Sequence, residues 1–373
     1  MGRPIALRNW SRRAFVYVHT SHKVSVAVWR PGLFCTTQTF GRVPAELAKF
    51  FAESAWPQAR ARVSGLAQGL HTRLSLGVMR HLLELKSKHA RQRGRDEMLI
   101  RAGYEISIQC AYETPVMALL SIHPSRAQHL RTPAPIISSH AAPLTASFDE
   151  FGNLRTRTVA PAGILKLSTD FVIEDSGLPD EVAPWAEEVP VSQLPDDALS
   201  YLLGSRYCET DKLSPLAWSL FGNTPRGWSR VQAIVDYVHR HITFGYPFAC
   251  STRTAADAYT ERHGVCRDFA HLSVALCRCM NIPARYCTGY LGDIGVPPVD
   301  APMDFSAWFE VYLSGRWWTF DARHNTPRIG RIVMARGRDA ADVAITTTFG
   351  PSKLTQFKIF TDEVNAVPIS TAA

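Results

Sequence analysis

No run of eighteen apolar residues occurs in the chain, and its start lacks a charged segment leading into a continuous apolar stretch and a small-residue cleavage site. The first absence argues against a membrane-spanning helix, the second against a secretory signal. The eight cysteines show no short-scaffold spacing and no second pair at ligand distance. Cys277 and Cys279 stand two apart on one expected helix and so point to different sides. These absences predict reduced thiols in a cytoplasmic protein with no metal, no cofactor and no membrane partner. Acidic residues are scarce only at one end: residues 1–97 carry 17 Lys and Arg against 5 Asp and Glu, whereas the remainder carries 24 against 28. The net charge of +8 therefore belongs to the first quarter of the chain.

That quarter reads as a basic extension, disordered or foreign to the native chain, with one helix expected around Leu74 to Leu85. Its arginine clusters, such as Arg60 to Arg62 and Arg91 to Arg95, match no recognition motif, which makes a nucleic-acid partner the weaker reading. Composition changes sharply at Met98. From there to residue 175 short alternating runs (Tyr104 to Ile108, Val116 to Ile122, Leu154 to Val159, Ile164 to Leu167, Phe171 to Ile173) predict a β-rich, sandwich-like domain. A proline-rich acidic connector with short helices covers 176–225; Asp196 or Asp197 is a candidate cap there and Leu216 to Phe221 a helical turn. Val231, Ile234, Val235 and Val238 fall at helical spacing, so Trp228 to His241 is expected to be an amphipathic helix.

Cys266 stands where the turn His263-Gly264-Val265 runs into an apolar helix containing Phe269, Leu272, Val274, Leu276 and Met280. A thiol in such a first turn feels the positive end of the helix dipole, which predicts a lowered pKa. Strands are expected at Ala284 to Tyr290, Ala307 to Leu313 and Arg316 to Phe320, the last two joined by Ser314-Gly315, with Asp321 just beyond. A helix-borne cysteine followed by strands that present a base and its orienting carboxylate fits cysteine acyl transfer.

Gly264-Val265-Cys266-Arg267-Asp268-Phe269-Ala270, Ile282-Pro283-Ala284-Arg285-Tyr286, Gly289-Tyr290-Leu291, Ala307-Trp308-Phe309-Glu310-Val311-Tyr312 and Phe320-Asp321 together resemble the bacterial transglutaminase-like family of the papain-like cysteine-enzyme superfamily. The resemblance spans roughly 228–324 and extends, through the β region, to the domain that precedes this core in many members. It implies an α+β fold over 226–350, with the cysteine on a central helix against an antiparallel sheet, followed by a C-terminal tail over 351–373. It also implies a Cys-His-Asp triad with Cys266 as nucleophile and Asp321 as orienting carboxylate. The family histidine lies immediately before the Ala-Trp pair, where this chain has Ser306.

Asp321 reads either as that carboxylate or as the cap of the following turn. His324 is the best substitute base; His263 is a loop group near the cleft, His271 lies off the Cys266 face, and Asp268 complements the helix dipole. Trp308, Trp317 and Trp318 read as core and cleft wall. The arginines at 328, 331, 336 and 338 read as solvated surface, with an anion site as the alternative. The expected function is a cysteine enzyme acting on peptide or protein amides through a Cys266 thioester, impaired by Ser306; the alternative is a silent peptide- or protein-binding module. The abrupt change at Met98 gives a first expectation. A chain beginning at Met98 should fold with an unchanged melting temperature, and a large loss of stability or solubility would show residues 1–97 to be integral.

Overall fold

The computed structural model describes the backbone of four strands between residues 5 and 40, together with residues 98–299 and 301–364. The chain divides into two units, Met1–Arg95 and Asp96–Ala373. In the first, β1 (Ile5–Ala6), β2 (Arg13–Val18), β3 (Val24–Arg30) and β4 (Leu33–Phe40) pair in sequence order as an antiparallel sheet. The expected extension thus contains strands, and their runs are rich in Val, Phe and Thr, types that favour the pleated conformation. The helix expected around Leu74 to Leu85 lies outside the described residues.

The second unit begins with β5 (Met98–Cys110) and β6 (Thr114–Ala118), followed by β7 (Ile137–Ser138), β8 (Thr145–Phe148), β9 (Leu154–Ala160) and β10 (Gly163–Asp175). The two strands expected at 164–167 and 171–173 are one. Leu165, Leu167, Thr169, Phe171 and Ile173 are buried in strict alternation, so the polar Ser168 and Asp170 continue the pleat. Residues 351–373, expected to be a tail, instead supply β18 (Ser352–Val364), which pairs with β5 from Ser352↔Cys110 to Val364↔Leu99. With β17 (Thr346–Thr348) from the end of the core region, this gives two four-stranded antiparallel sheets, ordered β18-β5-β10-β7 and β17-β6-β9-β8. Their shared core holds Ile100, Tyr104, Ile106, Leu165 and Phe171.

The connector carries α1 (Asp196–Leu199), with both aspartates in its first turn rather than at the cap, where Pro195 stands. Then come α2 (Thr210–Phe221) and α3 (Trp228–His241), the latter burying Val231, Ile234, Val235 and Val238 as the spacing required. The parallel pair β11 (Thr243–Phe244) and β12 (His263–Gly264) brackets α4 (Ala255–Glu261) and delivers the chain to α5 (Cys266–Cys279). From Asp268 to Cys279 every residue of α5 is buried. It packs on a sheet ordered β15-β14-β13-β16, where β13 is Ala284–Tyr290, β14 Ser306–Leu313, β15 Arg316–Phe320 and β16 Ile332–Gly337. Phe309, Val311 and Leu313 share one core with Phe269, Leu272 and Leu276 of the helix. Ser314 and Gly315, both at positive φ, close the β14–β15 hairpin.

Gly264 fixes how α5 begins. A Cβ built there would lie 2.5 Å from Asp268 Oδ2, the atom that accepts the Val265 N–H at 2.8 Å. Gly264→Ala should therefore displace that carboxylate and lower stability by about 1–3 kcal/mol in urea unfolding. An unchanged unfolding midpoint would mean the cap can yield without cost.

Candidate active site

Cys266 is the first residue of α5 and is partly buried, against Ala270, Ala307 and Tyr286. Three contacts hold this turn. Asp268 is fully buried, and its Oδ2 takes the Val265 amide and, at 3.3 Å, Arg253 Nη1. Arg253 in turn donates to the Phe248 carbonyl at 2.5 Å and to Glu261 at 2.7 Å. Arg267 donates to the carbonyls of Cys250 and Ser251, tying the turn to the loop before α4. Burial pushes the Asp268 carboxyl up, against the Val265 amide and the two arginines.

The thiol departs from the sequence expectation. Burial pushes it up to about 11, helped by the negative charge of Asp304, while Arg323 and a backbone hydrogen bond from Ala307 act in the other direction. The helix dipole favours the thiolate, and desolvation outweighs it.

Ser306 opens β14, is buried, and lies opposite Gly289; its carbonyl accepts the Thr288 hydroxyl at 3.2 Å. The next residue, Ala307, belongs to the apolar cluster that Cys266 packs against, so position 306 is the strand neighbour of a residue beside the thiol. Asp321 follows β15 directly and is buried. Its Oδ2 receives Arg331 Nη2 at 2.9 Å and pairs with His324 Nδ1 at 2.8 Å, and its Oδ1 accepts the His324 amide at 3.1 Å. Burial disfavours the Asp321 anion, yet Arg331 and then His324 prevail and hold its carboxyl well below the ordinary range. The carboxylate therefore both caps its turn and orients an imidazole. Because that carboxylate is anionic, His324 Nδ1 carries the proton of this bond, which leaves Nε2 as the basic nitrogen. The loop is pinned to α3: Gln232 and Asp236 bond the Asn325 side chain at 2.9 and 3.0 Å, and His239 Nδ1 bonds the Ala322 carbonyl at 2.9 Å.

The remaining residues fall elsewhere. His271 is fully buried, stacks on Tyr207 with centroids 5.2 Å apart, and accepts the Ala340 amide on Nε2. His263 packs against the Phe248 ring at 4.5 Å and lies 3.6 Å from Glu261. Trp318 is core beside Trp228, Trp317 lies under the Arg285 guanidinium, and Trp308 is buried beneath Arg331. Of the arginine run, only Arg338, its side chain 42% exposed, lies at a solvated surface. Arg328 and Arg331 have side chains 5% and 8% exposed and pair with Asp293, Asp180 and Asp321, and Arg336 pairs with Glu310. Their acidic partners are up to 151 residues away in sequence, which is why a run of charge looked like surface.

Two groups escaped the sequence reading. Asp304, whose carboxyl burial pushes up while Phe305 N–H and Arg323 oppose, bears on the Cys266 thiol. Arg323 lies over the Phe244 ring at 3.9 Å and bears on both groups. Their signal was only proximity to Ser306 and Asp321 along the chain.

Residues 217–322 match the model of the transglutaminase-like superfamily. The fold is similar to a crystal structure of a candidate cysteine protease from Cytophaga hutchinsonii, with a TM-score of 0.63 and 30% identity, covering 73% of this chain and 92% of that one. An uncharacterized Mycobacterium leprae protein is 36% identical over 95 residues, a match that spans 24% of this chain and 32% of that protein. An uncharacterized Mycobacterium tuberculosis protein is 28% identical over 221 residues, covering 53% of this chain and 69% of the relative. The helix-borne cysteine, the sheet that faces it and these matches agree: the chain belongs to the transglutaminase-like superfamily.

Proposed function

We propose that this protein performs cysteine acyl transfer on peptide or protein amides, attenuated by the serine at position 306. The observation that supports this reading is Cys266 in the first turn of a buried helix, packed against the apolar cluster that contains Ala307, the residue after position 306 on β14. In the reaction the Cys266 sulfur attacks the amide carbonyl carbon, the C–N bond breaks, and the amine leaves carrying a proton; water or a second amine then displaces the sulfur from the thioester. The thiol proton needs an acceptor. An imidazole at position 306 would serve, and a serine hydroxyl does not accept a proton at neutral pH. The Asp321–His324 pair is the substitute, since its carboxylate fixes the tautomer that leaves Nε2 basic.

A second reading, a silent binding module that keeps the cleft, is favoured by two observations: the thiol is pushed up to about 11, and Asp321 is committed to Arg331 and His324. Amidase and amine-incorporation assays on the native protein separate the two. The native rate should be weak, and Ser306→His should raise it at least about tenfold, since a missing triad member typically costs several orders of magnitude. His324→Ala should abolish whatever native rate exists. If Ser306→His stays at background with the fold intact, and Cys266→Ala changes nothing, the binding-module reading holds.

Alkylation tests the thiol independently of turnover. With iodoacetamide, Cys266 should react ahead of Cys277 and Cys279, which are 0% and 7% exposed and whose thiols burial also pushes up. Its rate should be low at pH 7 and climb into the alkaline range, because thiolate forms only as pH approaches about 11. Equal rates at the three cysteines, or a plateau reached by pH 7, would contradict the assignment.

A further inference from the structure

Three arginines of the second unit combine an aromatic ring beneath the guanidinium with a carboxylate beside it. Arg285 lies over Trp317 and holds Glu310, Arg316 lies over Trp318 and holds Glu181, and Arg331 lies over Trp308 and holds Asp180. Arg323 has only the ring. Its guanidinium carbon stands 3.9 Å from the Phe244 centroid, and its side chain has no hydrogen-bond or ion-pair partner among the described residues. The residue is half-buried, yet none of its nitrogens is sealed from solvent, so its donors are open to a ligand. The stack holds a long side chain in place, which reduces the ordering cost that binding would otherwise carry.

The ring that holds this guanidinium belongs to the strand beside the thiol. Phe244 of β11 pairs with Gly264 of β12, two residues before Cys266, and its ring faces that of Phe269 on α5, with centroids 6.4 Å apart. Arg323 itself stands two residues after Asp321. Its charge acts on both the Cys266 sulfur and the Asp304 carboxyl. Asp304 does not satisfy it: the two form no ion pair, and burial pushes the Asp304 carboxyl toward its neutral form. We infer that Arg323 selects acyl donors with a carboxylate next to the scissile carbonyl, the chemistry of an aspartyl or glutamyl residue. A guanidinium fork matches a planar carboxylate, and a group bonded to Cys266 would lie within the field of this one. Asp304 and Asp321 also act on the sulfur, so a singly charged anion is favoured over a doubly charged one. The inference rests on Cys266 as the nucleophile.

Alkylation of the full chain by two reagents of similar size tests this: iodoacetate, whose carboxylate is attached to the carbon that bonds sulfur, and neutral iodoacetamide. In both, the sulfur displaces iodide, and at about pH 9 both draw on the same thiolate, so the ratio of their rates cancels any change in thiolate fraction. Peptide mapping reads the rates at Cys266, with N-acetylcysteine amide as the reference thiol. The ratio of iodoacetate to iodoacetamide at Cys266 should exceed that of the reference at least about fivefold. Arg323→Met keeps an apolar stem over Phe244 and should return the ratio to the reference value. Arg323→Lys keeps the charge and should retain most of the preference, with circular dichroism and melting temperature confirming both folds. In the Ser306→His background, a peptide amide with Asp at the scissile carbonyl should be cleaved faster than its Asn counterpart, the difference lying in KM and vanishing with Arg323→Met. A native ratio equal to the reference, a ratio that Arg323→Met leaves unchanged, or equal cleavage of the two peptides would overturn the selection and leave Cys266 as nucleophile. Modification of Cys266 by neither reagent would overturn acyl transfer itself, and the selection with it.

Discussion

The first turn of α5 is closed by a carboxylate that nowhere reaches solvent: Asp268 takes the Val265 amide on one oxygen while Arg253 stands 3.3 Å from that same atom. The rest of the site depends on this closure. It sets the entry of the chain through β12, it requires Gly264 to lack a side chain, and it places Cys266 at the end of a helix buried along nearly its whole length. A buried acid is expensive unless its charge is met. Arg253 meets it and, by reaching the Phe248 carbonyl and Glu261, links the loop before α4 to the same point.

At the thiol two electrostatic effects compete, and their sizes differ. A helix N-terminus favours an anion by about 0.3–1 kcal/mol. Burial, with Asp304 nearby, moves Cys266 from 9.0 to about 11, a cost to the thiolate on the order of 3 kcal/mol. The helix positions the sulfur but does not ionise it. Asp321 lies at the opposite extreme, its anion secured by Arg331 and His324. A protonated thiol and a fully ionised carboxylate need an imidazole between them, and that is the role position 306 no longer provides in the proposed mechanism.

Much of the core was legible because its patterns are local. Residues 228–241 form a helix at the bounds the apolar spacing set, and β13 to β15 fall where alternation and the Ser314-Gly315 turn placed them. Cys266 opens its helix as the turn-to-apolar transition implied. What escaped depends on distant partners. β18 reads as a tail until β5, some 250 residues earlier, offers an edge to pair with. Arg331 reads as surface until Asp180 and Asp321 enclose it, and the thiol reads as activated until its burial is known. Charge and desolvation are properties of the packed molecule, and periodicity does not encode them.

The central claim is that Cys266 is positioned but lacks an imidazole at position 306, and reaction with p-nitrophenyl acetate, followed by intact mass and peptide mapping, addresses it most directly. An activated ester needs no help with its leaving group, so acylation reports thiolate formation alone. The account predicts a single acetyl group on Cys266, formed slowly at pH 7, faster above about pH 9, and rapidly at neutral pH once Ser306→His supplies an imidazole. Rapid acetylation of the native protein at pH 7, equal to that of the histidine variant, or acetylation at another residue would contradict it.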